Sequence, residues 1–419
     1  MFQLSANHYL SCLLAATVVC LGSCADTPDA APESASNRPA SQAVPLVQPA
    51  QSFSHWREQF RTRAIQSGID SALFDRTFAN IEPDLTVIEA DRSQPEFTRP
   101  VWEYLEGATS PARVRMGQAL LREHAATLDA IEQRYGVDRE ALLAIWAMES
   151  SFGRFMGHHS VIRSLATLAY EGRRPHFAEE QLLAALEILQ NGDIDAGGLL
   201  GSWAGAMGQT QFIPTTYLSH AVDFDGDGRR DIWNSSADAL ASAAHYLHAA
   251  GWQKGQAWGM QVTLPDGFDY ALADSTIRKT YAQWQALGIR GTPGKVAPSD
   301  SGYLLLPAGH RGPAFLVLHN FAAILRYNNS SSYALAVGLL GQRLNGDGPL
   351  LASWPKDERP LGRSERIELQ EALAARGYNP GAADGIIGAN TRRAIRAFQQ
   401  SLNLPADGYP TPVLLQKLR

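Results

Sequence analysis

Arg139 to Gly153 reads REALLAIWAMESSFG, and its environment decides what the surrounding chain must be. Ala141, Leu142, Leu143, Ala144, Ile145, Trp146, Ala147 and Met148 leave almost no polar face, so the pattern predicts a helix buried in a core and not an amphipathic surface one. Gly136 turns the chain into it, with Asp138 as a candidate N-cap. One carboxylate, Glu149, stands at its end before Ser150, Ser151, Phe152 and Gly153. A buried carboxyl there has its proton favoured by desolvation, as a general acid near neutral pH requires. The alternative is a surface glutamate in the last turn of a core helix.

Outward from this stretch, the preceding residues read as helices. Phe53, Trp56, Phe60, Ala64 and Ile65 recur at helical spacing up to Gly68, Ser71 to Phe78 forms a second short helix, and Ser110-Pro111 opens a long one through about Tyr135. After Gly153, Ser160 to Tyr170 and Pro175 to Asn191 are helical, with Gly-rich turns and no strand alternation into the 250s. Met260 to Leu264 and Ser301 to Leu306 are strand-like, with a helix over Ser275 to Gly288 between them, which places a small mixed lobe at about 259–311. Phe315 to Tyr327 and Tyr333 to Leu344 return to helix, and Pro349 to Pro360 reads as a linker. The last 60 residues pattern as three short helices, Ile367 to Arg376, Thr391 to Leu402 and Thr411 to Leu418. Their few apolar positions (Leu369, Leu373, Ile386, Ile395, Phe398, Leu404, Leu414, Leu418) suit a binding module, not a buried catalytic site.

The 419 residues are too many for one ordinary core, and 45% apolar with 19% charged residues describes a soluble globular body. The net charge of -6 excludes the strongly basic footprint of a nucleic-acid binder. Tyr9 to Leu21 has the length and apolarity of an export-signal core, and Asp26 to Gln51 is an Ala/Pro/Ser/Gln tether unable to order itself. Leu21-Gly22-Ser23-Cys24 resembles a bacterial lipobox, which implies lipidation of Cys24; Met1 to His8 lacks the usual Lys or Arg, and a plain cleaved signal is the alternative. All three cysteines, Cys12, Cys20 and Cys24, lie in this segment, so the body must be stable without disulfides.

Asp223-Phe224-Asp225-Gly226-Asp227-Gly228-Arg229-Arg230-Asp231-Ile232-Trp233-Asn234 has the spacing of a calcium loop. Asp223, Asp225, Asp227 and Asp231 would supply carboxylates, Arg229 a backbone carbonyl, and Gly226 the tight turn. Asn234 replaces the usual bidentate Glu, so a structural cation of modest affinity is expected, against a solvated Asp/Gly turn without metal. Leu200 to Tyr217 (LGSWAGAMGQTQFIPTTY) joins close-approach residues to Ser202, Gln209 and Gln211. It reads either as a groove wall whose amides bond sugar hydroxyl and acetamido groups, or as a close helix crossing with solvent-facing glutamines. Nine tryptophans, all before Pro360, fit either carbohydrate stacking or core.

Glu149-Ser150-x-Phe152-Gly153, Ala204-Gly205-Ala206-Met207-Gly208-Gln209-x-Gln211-Phe212-x-Pro214, the Asp223 loop and Tyr327-Asn328 together resemble the membrane-bound B-type lytic murein transglycosylases, over about Phe53 to Trp354. Leu369-Gln370, Gly377-Tyr378, Asp384-Gly385, Thr391, Phe398-Gln399 and Asp407-Gly408 resemble a three-helix peptidoglycan-binding domain. The resemblance implies a mainly α chain: a lysozyme-like helical catalytic domain at 52–352 with the inserted α/β lobe, a linker at 353–361, and a C-terminal three-helix bundle at 362–419.

It also implies a function. The β-1,4 bond between N-acetylmuramic acid and N-acetylglucosamine would be cleaved without water or a cofactor, with Glu149 as the single catalytic carboxyl and 1,6-anhydro ends as product. Ser202, Gln211, Tyr246, Tyr327 and Asn328 fall on substrate-contacting positions. Glu171 or Asp195 is the candidate second carboxylate for a hydrolytic muramidase, and a non-catalytic wall-binding lipoprotein is a further rival. Expected partners are peptidoglycan strands and, through Cys24, the inner face of the outer membrane from the periplasm; cell-wall synthesis or division proteins are unspecified.

Overall fold

The computed structural model describes residues 52–92, 99–291, 294 and 296–419. The expected signal segment, Cys24 and the tether lie outside these residues. No described helix is long and apolar enough to cross a membrane.

The central helix spans Arg139–Ser150, and Ala141 through Met148 are all buried. Its neighbours are the helices Ala125–Tyr135, Ser236–Ala249 and Ser331–Leu344, which supply Leu128, Ile131, Leu247, Leu335 and Leu340 to one core. A second core joins Phe60 and Phe74 of the N-terminal helices to Val161–Glu171, Pro175–Asn191, Phe212 and Tyr217. Tyr327 packs against both. Asp138 occupies the N-cap position, yet its side chain makes no capping bond. Arg139 instead ties the helix start to Glu132 at 2.7 Å, across the left-handed Gly136 turn (φ 68°).

Five local expectations change, the first being that the helix expected over Ser275 to Gly288 is confined to Tyr281–Ala286, behind the strand Lys279–Thr280. The long helix from Pro111 to Tyr135 is two, Pro111–Glu123 and Ala125–Tyr135, broken at His124, whose ring lies edge-on to Trp146 at 5.6 Å. Leu85–Arg92 is an additional helix, with Asp84 accepting from the Thr86 N–H at 3.0 Å before it. His159–Ser160 and Leu200–Gly201 pair as a two-residue antiparallel ribbon, too short to leave an alternating pattern. Phe315 to Tyr327 is not one helix: Ala314–Val317 is a strand, and the helix begins at His319.

That strand lies third in a five-stranded antiparallel sheet, in the spatial order Lys279–Thr280, Ser301–Leu305, Ala314–Val317, Gly259–Thr263, Arg290–Gly291. Met260 pairs with Leu316 and Leu304 with Leu316, so the strand is enclosed on both edges and all four residues are buried. A buried apolar run carries no period-2 signature, which is why it passes for helix. Trp284 seals the lobe, its Nε1 donating to Gly302 O at 3.1 Å.

Three helices, Arg363–Ala375, Ala389–Ser401 and Pro412–Leu418, close around Leu369, Leu373, Ile395, Phe398, Leu414 and Leu418. Ile386, expected in that core, is 67% exposed, and Leu404 is half-buried. The unit docks on the β lobe through charge. Arg396 pairs with Asp274, and buried Asp407 accepts from His310 Nδ1 at 2.6 Å and His310 N at 2.9 Å. The linker lies along the body, with Trp354 near Trp102 and Leu351 N donating to Gln261 Oε1 at 2.9 Å.

Candidate active site

Glu149 emerges from the last turn of the central helix. Part of its surface stays open, but protein packs densely around the carboxyl. That desolvation pushes its pKa up to about 7, against the opposing pull of one hydrogen bond, from Tyr333 Oη to Oε1 at 2.6 Å. Tyr333 is 2% exposed, on the first turn of Ser331–Leu344. Burial raises the Tyr104, Tyr327 and Tyr333 hydroxyls, and the Glu149 charge raises all three further. Glu149 is therefore walled by neutral phenols. Arg113, its pKa lowered by burial, stands behind them, with Nη1 3.4 Å from Ala147 O.

The chain beyond Glu149 is held in strained backbone. Ser151 (φ 50°) and Phe152 (φ 63°) are consecutive left-handed non-glycine residues, followed by Gly153 (φ 79°). Ser150 fixes this corner: its Oγ donates to Gln209 O at 2.8 Å and accepts from Gly153 N at 2.9 Å. Gln209 braces it from within, accepting from Trp146 Nε1 at 2.9 Å and donating to Trp233 O at 3.1 Å. Gln209 is thus a buried clamp, neither a sugar-facing amide nor a solvent-facing one. At Gly157 a Cβ would run into the Gly201 carbonyl, so the two loops touch backbone to backbone.

The other expected site residues divide. Tyr327 Oη donates to Thr210 O at 2.9 Å, and its ring packs edge-on against Tyr246 at 5.0 Å. Tyr246 Oη donates to Arg326 O at 2.6 Å, and Phe212 lies within 6 Å of both rings. Gln211 (φ 51°) donates to Met156 O at 3.1 Å and Gly208 O at 2.9 Å, bridging the walls on either side of the loop. Ser202 Oγ accepts from Ala206 N at 3.0 Å and Ala204 N at 3.3 Å, organising its own turn. Asn328 ends the His319–Tyr327 helix and is 6% exposed. The Glu149 charge thus reaches Tyr327, Tyr246 joins Tyr327 by ring contact, Gln211 is held in the adjoining loop, and Ser202 and Asn328 follow along the chain.

Neither candidate second carboxylate is placed to act with Glu149. Glu171 pairs with Arg92 at 3.0 Å, and Asp195 accepts from Gly198 N at 2.6 Å. Burial and Tyr333 alone account for the shift at Glu149; no second acid contributes among the described residues. Sequence reasoning missed Tyr333, Tyr104 and Arg113, which sit in apolar or mixed helices without a motif.

In the acidic loop, carboxylate oxygens of Asp223, Asp225 and Asp227 lie within 4.8 Å of one another. Gly226 (φ 79°) and Gly228 (φ 90°) supply its tight turns. Asp231 sits apart from that trio, accepting from Trp233 N at 2.9 Å and from Asn234 N at 2.8 Å. Buried Asp238, outside the motif, holds the loop by accepting from Phe224 N at 2.8 Å and Asp231 N at 2.9 Å. Arg230 turns away to pair with Asp193 at 2.7 Å. Three clustered hard oxygens fit a cation of the calcium type.

A single desolvated acid at the end of a core helix, in a helical body carrying a small β lobe, defines the lysozyme-like class of glycan-cleaving folds. Residues 52–342 match the transglycosylase SLT domain and residues 362–418 a peptidoglycan binding domain. The chain is 34% identical over 245 residues to membrane-bound lytic murein transglycosylase B of Escherichia coli (strain K12), an alignment covering 57% of this chain and 66% of that protein, just under two thirds. SltB3 from Pseudomonas aeruginosa, solved with NAG-anhNAM-pentapeptide, is 63% identical, with a TM-score of 0.86 over 88% of this chain and 100% of that one. The same protein has been solved with NAG-NAM-pentapeptide. Slt35 of Escherichia coli in complex with calcium is 29% identical, with a TM-score of 0.61 over 69% of this chain and 92% of that one. This chain belongs to the membrane-bound lytic murein transglycosylase B family, with a C-terminal peptidoglycan-binding domain.

Proposed function

We infer that this chain is a peptidoglycan lytic transglycosylase that cleaves the β-1,4 MurNAc-GlcNAc bond and leaves 1,6-anhydromuramoyl ends, with Glu149 as its only acid and base. The observation that carries this reading is the Glu149 carboxyl itself, held near pKa 7 by burial with Tyr333 as its one hydrogen-bond donor. Protonated Glu149 gives its proton to the bridging oxygen as the C1–O bond breaks. The resulting carboxylate takes the proton of the muramoyl C6 hydroxyl as that oxygen bonds to C1, so Glu149 ends protonated and no water is consumed. Ordinary glycosidases need a second carboxylate to activate water or to attack. Here the nucleophile is tethered to the substrate, which lowers the entropic barrier. The anhydro-sugar ligand of the Pseudomonas aeruginosa relative supports this product.

Tyr333 positions the carboxyl, and Gln211, Tyr246, Tyr327, Asn328 and Ser202 form or hold the walls that receive the glycan. Asp223, Asp225 and Asp227 would hold a structural Ca2+, with the Arg229 carbonyl beside them and Asp231, apart from the trio, bracing the loop; the calcium complex of Slt35 supports this role. The C-terminal unit adds affinity for the wall. Export to the periplasm with a lipid on Cys24 at the outer membrane rests on the lipobox resemblance. The test is digestion of purified sacculi by wild type and Glu149→Gln with mass analysis of the fragments. Wild type should release muropeptides two hydrogens and one oxygen lighter than hydrolytic ones, and the variant none. Near-normal release by the variant overturns the assignment.

A further inference from the structure

Arg113 stands on the first turn of the Pro111–Glu123 helix, half-buried beside the end of the central helix that carries Glu149. A guanidinium has five N–H donors, yet this one makes two contacts only, both from Nη1 and both long: Ala147 O at 3.4 Å and Met148 Sδ at 3.5 Å. Burial lowers its pKa, and the one group pulling it back is the Tyr104 hydroxyl, not a carboxylate. Glu106 of the neighbouring Val101–Ala108 helix is taken by Lys356. Glu149 is not its partner either, since burial and Tyr333 alone set that carboxyl.

The bland role, a cation capping the helix end, is already filled. Ala147 O accepts from Ser151 N at 3.1 Å and Trp146 O from Phe152 N at 3.1 Å, so the backbone closes that end by itself. Tyr104 shares the situation of Arg113, for its hydroxyl has no hydrogen-bond partner among the described residues. Burial raises that hydroxyl most, the Glu149 charge adds to the rise and Arg113 opposes it, so the phenol is within electrostatic reach of both. The side-chain polar atoms that are both sealed and unpaired among the described residues lie elsewhere. Arg113 Nε and Nη2 and Tyr104 Oη therefore keep surface that a ligand can reach.

A partly desolvated cation without a counterion is costly. One that keeps reachable donors beside a catalytic acid calls for an anion brought by the substrate. In the glycan only one kind of sugar supplies it. The two N-acetylated sugars alternate through the same β-1,4 linkage and differ at O3, where the muramoyl unit alone carries a lactyl group. That group ends in a carboxylate when bare, and bears a peptide with carboxylates of its own when substituted. An acid alone cannot tell one β-1,4 bond from the next; a group that reads O3 can.

We propose that Arg113, with the Tyr104 hydroxyl as a second donor, binds a carboxylate on the muramoyl O3 substituent and so sets which of the two alternating bonds lies against Glu149. The nitrogens left unused, Nε and Nη2, form the edge of the guanidinium that grips a carboxylate through two parallel N–H···O bonds. Arg113 is a substrate-binding residue in this role and moves no proton. The role rests on the transglycosylase reading for the identity of the substrate; the unpaired guanidinium stands without it.

The test is calorimetric titration of the full chain carrying Glu149→Gln, with Arg113 intact or changed to Met, against three ligands. These are a peptide-free GlcNAc-MurNAc tetrasaccharide with bare lactyl groups, the same glycan with its peptides, and uncharged chitotetraose. Arg113→Met should weaken a carboxylate-bearing ligand about tenfold or more, as for lost hydrogen bonds to a charged group, and leave chitotetraose unchanged. Loss with the bare glycan assigns the lactyl carboxylate; loss confined to the peptide-bearing glycan assigns the peptide. Arg113→Met should melt no lower than its parent, since an apolar chain replaces a desolvated charge. With Arg113 intact, added salt should weaken the charged ligands more than chitotetraose, a readout that needs no folded Met variant. Undiminished affinity for both charged ligands, an equal loss for all three, or equal salt dependence for all three would overturn the role. Failure of the Glu149 assignment would appear as cleavage of sacculi by Glu149→Gln, whereas failure here leaves that chain inactive and its affinities indifferent to Arg113.

Discussion

Glu149 and Asp407 are both carboxyls packed into protein, one at the end of the central helix and one between the β lobe and the C-terminal unit. Burial pushes both upward, and the outcome differs because their partners differ. Glu149 receives one hydrogen bond, from Tyr333, and rises to about 7. Asp407 receives four, from His310 Nδ1, His310 N, Gln399 Nε2 and Tyr409 N, which outweigh its desolvation and hold it below the ordinary carboxylate range. Donor count, more than depth, separates a carboxyl that can exchange a proton from one that serves as a fixed charge. The first arrangement suits chemistry, the second adhesion.

The largest test of that contrast is Glu149→Gln, which should lower sacculus cleavage at least a thousandfold, about the span of general acid–base catalysis. It should also stabilise the fold at alkaline pH. With its pKa raised from 4.5 to about 7, native Glu149 binds more protons than the unfolded chain across that window. Stability therefore falls as pH rises through it, by on the order of 3 kcal/mol. Melting curves at pH 8 should place the variant above wild type, and at pH 4 beside it.

Asp407→Asn attacks the opposite case. Removing the charge from four converging donors should cost about 3 kcal/mol of docking, exposing 345–361 to proteolysis while short soluble glycans are still cut. Because the Asp407 pKa is depressed, its contribution is complete above the unfolded value of about 3.9 and is lost as pH falls through the native one. Scattering should show the C-terminal unit releasing only in that acid range.

Tyr333→Phe moves Glu149 further from Asp407. Without the hydrogen bond that favours the charged form, the alkaline limb of the rate profile should shift up by less than about one pH unit, with about a tenfold fall in kcat. The smallest effect is expected at the acidic loop. Calcium should raise the melting temperature by about 2–4 °C per kcal/mol of binding, and Asp225→Asn should abolish the increment without changing cleavage.

The central helix is legible in sequence because eight consecutive apolar residues admit one environment, and Glu149 is legible as the carboxyl that ends it. Tyr333 is not. A tyrosine in an apolar helix reads as core, which it is, and its hydroxyl meets a partner 184 residues away that no local pattern encodes. Asp407 is hidden similarly: Asp-Gly predicts a turn, while its charge is answered by His310, 97 residues earlier. Gln209 misleads for a different reason. An amide in a Gly-rich segment suits a sugar or a buried indole equally, and the fold brings Trp146 to it first. The Ala314–Val317 strand is lost because burial on both faces erases its periodicity.

The central claim is that Glu149 works alone, with no activated water. Digesting sacculi in water enriched in heavy oxygen tests this directly. The account predicts that newly formed muramoyl ends carry none of the label and retain the 1,6-anhydro ring. Label at C1 of the released muramic acid would contradict it and require a second carboxylate opposite Glu149.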